Sequence, residues 1–86
     1  MTMVIGYHEI DDSEHWLASP KREEILGAAG VGVRTFLDPE NPHRAAVLFD
    51  VPDMEAFQAL MQSPAAADAM AHDGVRADTV ILLVEA

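Results

Sequence analysis

The apolar positions change period several times along the chain, and each change marks an element. Residues 2–10, TMVIGYHEI, are short, apolar and rich in strand-forming residues, which predicts a strand. Val4, Gly6, His8 and Ile10 alternate onto one face of it and Tyr7 onto the other. Asp11 followed by Glu14 has the spacing of a capping box and predicts a helix start. That helix meets Ser19-Pro20. Proline inside a helix removes a hydrogen bond and clashes with the turn before it, but it is tolerated at a first position behind a serine cap. Two helical segments are therefore predicted, about 12–18 and 20–29, with Gly30 as the stop.

VGVRTFL (31–37) and RAAVLFDV (44–51) read as strands, with DPENPH (38–43) as a longish turn between them. Asp53 is predicted to cap a helix, MEAFQALMQ, which is broken at Ser63-Pro64, restarts, and stops at Gly74. TVILLVE (79–85) reads as the last strand. The order is β-α-β-β-α-β. A shift of 44 residues lays Ser19-Pro20 on Ser63-Pro64 and Gly30-Val31 on Gly74-Val75, so the halves repeat at their helix breaks and helix ends. Two βαβ halves fold most simply as a ferredoxin-like sandwich, an α+β fold with an antiparallel four-stranded sheet and helices on one face.

Two strands are apolar on both sides. Val47, Phe49 and Val51 oppose Ala46 and Leu48; Val80, Leu82 and Val84 oppose Ile81 and Leu83. Such strands are covered on both faces. The helices suffice for one face, so the other is expected to meet a second copy, giving a homodimer. At 86 residues the chain makes one small domain, residues 1–86. A domain of this size buries roughly 60–65% of its unfolded surface, which leaves room for help from a partner.

Charge narrows the partners. Five Lys/Arg stand against fifteen Asp/Glu, a net charge of −10. Neither nucleic acid nor an anionic membrane surface is an expected partner. The chain has no cysteine, which excludes disulfides and thiolate chemistry and fits a cytoplasmic protein. MTMVIGYHEIDD has neither the basic start nor the long apolar run of a signal peptide, so none is expected. No glycine-rich phosphate loop or nucleophile elbow is present. No cofactor is expected. No metal site is expected either, because a three-histidine site would need His8, His15 and His72 to converge from three elements.

The candidate chemistry rests on a few side chains. His8, on an otherwise apolar strand face, is either a satisfied core residue or a pocket acid/base. His72 ends the second helical region; Asp73 could set its tautomer, although neighbours on a helix do not face one another. Both histidines are candidate catalytic residues. Trp16 is a core residue or the aromatic wall of a pocket. Arg22, beside Lys21, opposes the helix dipole where it stands, so it is an anion-binding candidate as well as a surface ion-pair former. Arg34 lies among apolar strand residues and should find a carboxylate or a ligand.

This element order resembles the dimeric α+β barrel superfamily, which includes antibiotic-biosynthesis monooxygenase-like proteins. The residues that carry the likeness are DDSEHW opening the first helix, RTFLDPENPHRAAVLFDVPDMEAF from hairpin to second helix, and SPAAADAMAHDGV closing that helix. The resemblance implies two subunits packed sheet to sheet, each with an apolar pocket between sheet and helices. It also implies a cofactor-free oxygenase, isomerase or cyclase acting on a small apolar organic molecule by acid/base chemistry. The superfamily holds non-catalytic members too, so a ligand-binding or structural homodimer is the alternative.

Overall fold

The computed structural model describes residues 1–86. It contains β1 (Thr2–Ile10), α1 (Ser13–Ala18), α2 (Lys21–Ala28), β2 (Gly32–Asp38), β3 (Asn41–Val51), α3 (Met54–Met61), α4 (Pro64–His72) and β4 (Val75–Val84). The four strands form one antiparallel sheet in the order β2-β3-β1-β4, the ferredoxin-like arrangement. Each βαβ half thus has a helical region split in two at its Ser-Pro pair.

The breaks have a local cause. The N–H of residue 20 would serve the Trp16 carbonyl in a continuous helix, and proline has none. Residue 64 stands in the same relation to Leu60. In the second half Ser63 fills the gap, its Oγ donating to the Leu60 carbonyl at 2.6 Å. Ser63 also caps α4, its Oγ accepting from Ala66 N–H at 3.2 Å. In the first half the substitute donor comes from further away, with consequences described below.

Three boundaries differ from expectation. Asp12, not Asp11, caps α1, its Oδ1 accepting from the N–H groups of Glu14 and His15 at 3.0 and 3.3 Å. Asp11 instead accepts from Arg76 Nε at 2.8 Å. The 38–43 turn is shorter than expected. The Asp38 side chain accepts from Glu40 N–H at 2.8 Å, Asp38 pairs with Asn41, and β3 starts there. β4 starts at Val75 rather than 79, with a break in its pairing: Tyr7 meets Ile81 while Glu9 meets Arg76. The Thr79 hydroxyl bridges this break, accepting from Glu9 N–H at 2.9 Å and donating to the Arg76 carbonyl at 2.6 Å.

The core lies between the sheet and the helices. Val4, Ile10, Val47, Phe49 and Val51 from the sheet meet Trp16, Leu26 and Phe57 from the helices. On the opposite face, Ile5, Phe36, Ile81 and Leu83 are 46–61% exposed. No helix is long and apolar enough to cross a membrane.

Candidate functional site

Where β4 breaks away, His8 pairs with Ala45 of β3 and has no partner on β4. Its neighbours on that face are small. Gly6 leaves a gap that a Cβ would close, lying 3.1 Å from both the Leu82 and Phe49 side chains. A cavity of ≈ 80 Å³ opens here. Phe49, Ile25, Leu26, Met61, Met70 and Leu82 contribute apolar wall, and the polar groups are His8, Lys21, Arg22 and Asp73.

Trp16 closes one side. It is buried, with its ring edge-on to His8 at a centroid distance of 5.5 Å. Arg22 is the substitute donor at the first helix break: its Nη2 donates to the Trp16 carbonyl at 3.2 Å. Its guanidinium also lies 4.3 Å from the Trp16 ring centre, within range of a cation–π contact. So the carbonyl orphaned by Pro20 draws a cation inward, and Arg22 does not join a surface ladder.

Asp73 supplies the opposing charge. It is the C-cap of α4, and Gly74 behind it takes a positive φ of 73° that turns the chain into β4. Its Oδ2 is 3.6 Å from Arg22 Nη1. That distance makes a Coulombic pair without a hydrogen bond, and Arg22 Nη1 is left buried with no acceptor. Asp73 Oδ1 accepts from His72 Nδ1 at 2.9 Å. Adjacent residues can meet here because Asp73 lies beyond the last helical turn. The His72 carbonyl in turn accepts from His15 Nε2 at 2.7 Å.

Burial governs the electrostatics. His8 is 8% exposed, and the loss of solvation pushes its pKa below the ordinary 6.5. The Glu9 backbone opposes this, and the Arg22 charge adds to it. The imidazole is therefore neutral at pH 7, and its Nδ1 has no hydrogen-bond partner. Burial also lowers the Arg22 pKa, with Asp73 and then Glu23 opposing, but a guanidinium remains a cation.

Of the five candidates from sequence, His8, Trp16 and Arg22 come together in the cavity. His72 does not line it and reaches it only through Asp73. Arg34 lies elsewhere: it pairs with Leu48 on the exposed face and belongs to none of the ion pairs. The reason is strand alternation, which sends Arg34 and Phe36 outward and Val33 and Thr35 toward the helices. His43, in β3, bonds the Ile10 carbonyl through Nδ1 at 3.0 Å, and the His15 and His72 rings lie tilted against each other with centroids 5.3 Å apart. No donor set for a metal gathers. Asp73 is the cavity residue that sequence reasoning misses, although the glycine stop at 74 marks it as the helix end.

No protein-family model matches this sequence, and no curated protein does. Solved structures match it over nearly the whole chain. One from Bordetella bronchiseptica, named as an antibiotic biosynthesis monooxygenase, aligns with TM-score 0.73 and 17% identity over 99% of this chain and 94% of that one. The chain has the fold of the antibiotic biosynthesis monooxygenases. A second structure of that name gives TM-score 0.66 and 14% identity over 100% and 97% of the two chains. A Mycobacterium tuberculosis protein gives 0.63 and 13% over 99% and 92%. At these identities the likeness lies in the path of the backbone and assigns no side-chain role.

Proposed function

We propose that the cavity binds a small, mostly apolar organic molecule and that His8 moves a proton on it. The observation that carries this reading is the buried, neutral His8 ring with an unpartnered Nδ1 in the wall of an apolar cavity. A neutral imidazole at pH 7 is a competent general base. It would take a proton from an activated carbon or hydroxyl, and the charge left on the substrate oxygen would face the Arg22 guanidinium. Trp16 and the aliphatic walls keep water from the reacting atoms. The fold neighbours are named as monooxygenases, which supports dioxygen as the oxidant of the deprotonated substrate. Isomerisation and ring closure begin with the same proton transfer.

The test uses a panel of small phenols and monocyclic aromatic ketones in D₂O. C–H washout is followed by NMR and oxygen uptake by electrode. The wild type should exchange and oxidise a subset, with a rate that falls once pH drops through the lowered His8 pKa. His8→Gln should slow both by about 10²–10⁴-fold, the usual contribution of a positioned base. Equal rates in the two proteins refute His8 as the base.

We also propose that a second copy of this chain covers the exposed sheet face, as a homodimer. Ile5, Phe36, Ile81 and Leu83 make that face apolar, and large exposed apolar patches mark interfaces. Arg34 and Asp50, on neighbouring strands, make no ion pair within the chain. They offer both signs to a self-complementary two-fold contact.

A further inference from the structure

The cavity at His8 adjoins a second one. A groove of ≈ 280 Å³ reaches Phe57 and Ala77 and shares Met61, Met70, Val80 and Leu82 with the first chamber of ≈ 80 Å³. The partition is thus partly methionine, which is unbranched and moves at low cost. A cavity of about 150 Å³ takes a benzene ring, so the groove has room for an apolar tail of roughly six to eight carbons.

The polar end is charged against the trend of the chain. The protein carries −10 with only five Lys/Arg, yet two of the five, Lys21 and Arg22, line the first chamber with a single carboxylate, Asp73. Within the lining the cations outnumber the carboxylate, while Glu23 acts on Arg22 from outside it. Arg22 Nη1 is buried without an acceptor, a costly state that a ligand oxygen would relieve. A neutral ligand oxygen could accept from Nη1 but would leave the charge of the two cations uncompensated.

We infer that the ligand is an elongated monoanion, a medium-chain carboxylate whose head meets Arg22 and Lys21 and whose tail passes Met61 and Met70 into the groove. This rests on the cavity reading above and adds that its ligand carries a carboxylate on an apolar tail; the alkyl probes below test binding and not proton transfer. Trp16, the only tryptophan, stands in the cavity wall under Arg22, so its emission reports on occupancy directly.

The experiment titrates the intact protein with octanoate, hexanoate, octanamide and octylammonium, following Trp16 fluorescence and the His8 ring resonances. Octanoate should bind at least tenfold more tightly than octanamide or octylammonium. Hexanoate should bind more weakly than octanoate by about fourfold for each missing methylene. Arg22→Met should remove the preference for carboxylate over amide. Because that change strands Asp73, the Arg22→Met/Asp73→Asn pair repeats the comparison, and the wild-type titrations need no variant at all. Octanamide or octylammonium matching octanoate, with the same Trp16 response, overturns the anion assignment and leaves the cavity as a ligand site. A silent Trp16 and unmoved His8 resonances with every probe overturn the anion assignment, and the same silence with the substrates of the first test overturns the cavity reading as well.

Discussion

Replacing Asp73 with asparagine removes one charge and almost no volume. The Asp73 and Arg22 side chains are 5% and 13% exposed and stand 3.6 Å apart. At an effective dielectric of about 20, unit charges at that separation attract by about 4–5 kcal/mol. Desolvation of both groups offsets much of this. Exposed pairs contribute about 0.2–1 kcal/mol, whereas removing one member of a fully buried pair costs about 3–5. Arg22 keeps the Trp16 ring and carbonyl after the change. The amide oxygen of the introduced asparagine can still accept from His72, which isolates the Arg22 contribution. The expected loss is about 2–3 kcal/mol, survivable for a domain whose total lies at about 4–13. In urea, with a slope near 1 kcal/mol per molar, the midpoint should fall by about 2–3 M with the slope unchanged. Arg22→Met should cost a similar amount, and the double variant should cost less than the two added together. A coupling of about 1–3 kcal/mol is expected from the cycle. Additivity within about 0.5 kcal/mol would refute the idea that these charges hold each other inside the fold.

Three further outcomes are expected. The folded state holds the His8 pKa below 6.5, so the unfolded chain binds the proton more readily; stability is full above pH 6.5 and declines as pH falls from 6.5 through the folded pKa. Thermal melts should show that decline in the wild type and a flatter one in His8→Leu, and identical slopes would contradict it. Sedimentation should give twice the chain mass for the wild type and a single chain for Leu83→Lys, whose ammonium would enter the interface; a monomeric wild type at tens of micromolar would end the dimer proposal. Gly27→Ala meets nothing within 4 Å in the last turn of α2 and should stabilise by up to about 0.5–1 kcal/mol. Gly74→Ala, at φ +73°, should instead destabilise by about 1–2 kcal/mol, and equal melting temperatures for the two would refute the turn assignment.

Much of the fold is legible in the sequence because its signals are local. Period-two alternation marks the strands, Asp53 and Ser63 mark helix starts, and Gly30 and Gly74 mark helix ends. Where the reading and the structure part, two local signals compete. Asp11 and Asp12 both suit a cap, and the choice goes to Asp12 because Asp11 is drawn off by Arg76, 65 residues away. The start of β4 is hidden because Arg76, Ala77 and Asp78 are weak strand formers, although the stretch alternates. Strand pairing there depends on Thr79 substituting for a backbone partner.

The sequence by itself determined the order of elements, the two Ser-Pro breaks, the doubly apolar strands and the inward face of His8. These follow from sterics and hydrogen bonding within a few residues of each position. Tertiary structure decided which polar groups meet. Pro20 orphans a carbonyl, but only the packing of α2 beside α1 makes Arg22 its donor and lays the guanidinium on Trp16. Asp73 joins them from the far end of the second half, and Arg34, equally cationic and equally placed among apolar residues, is left on the other face. Coulombic and burial energies depend on distance in space, and the distance between elements is set only when the chain has folded.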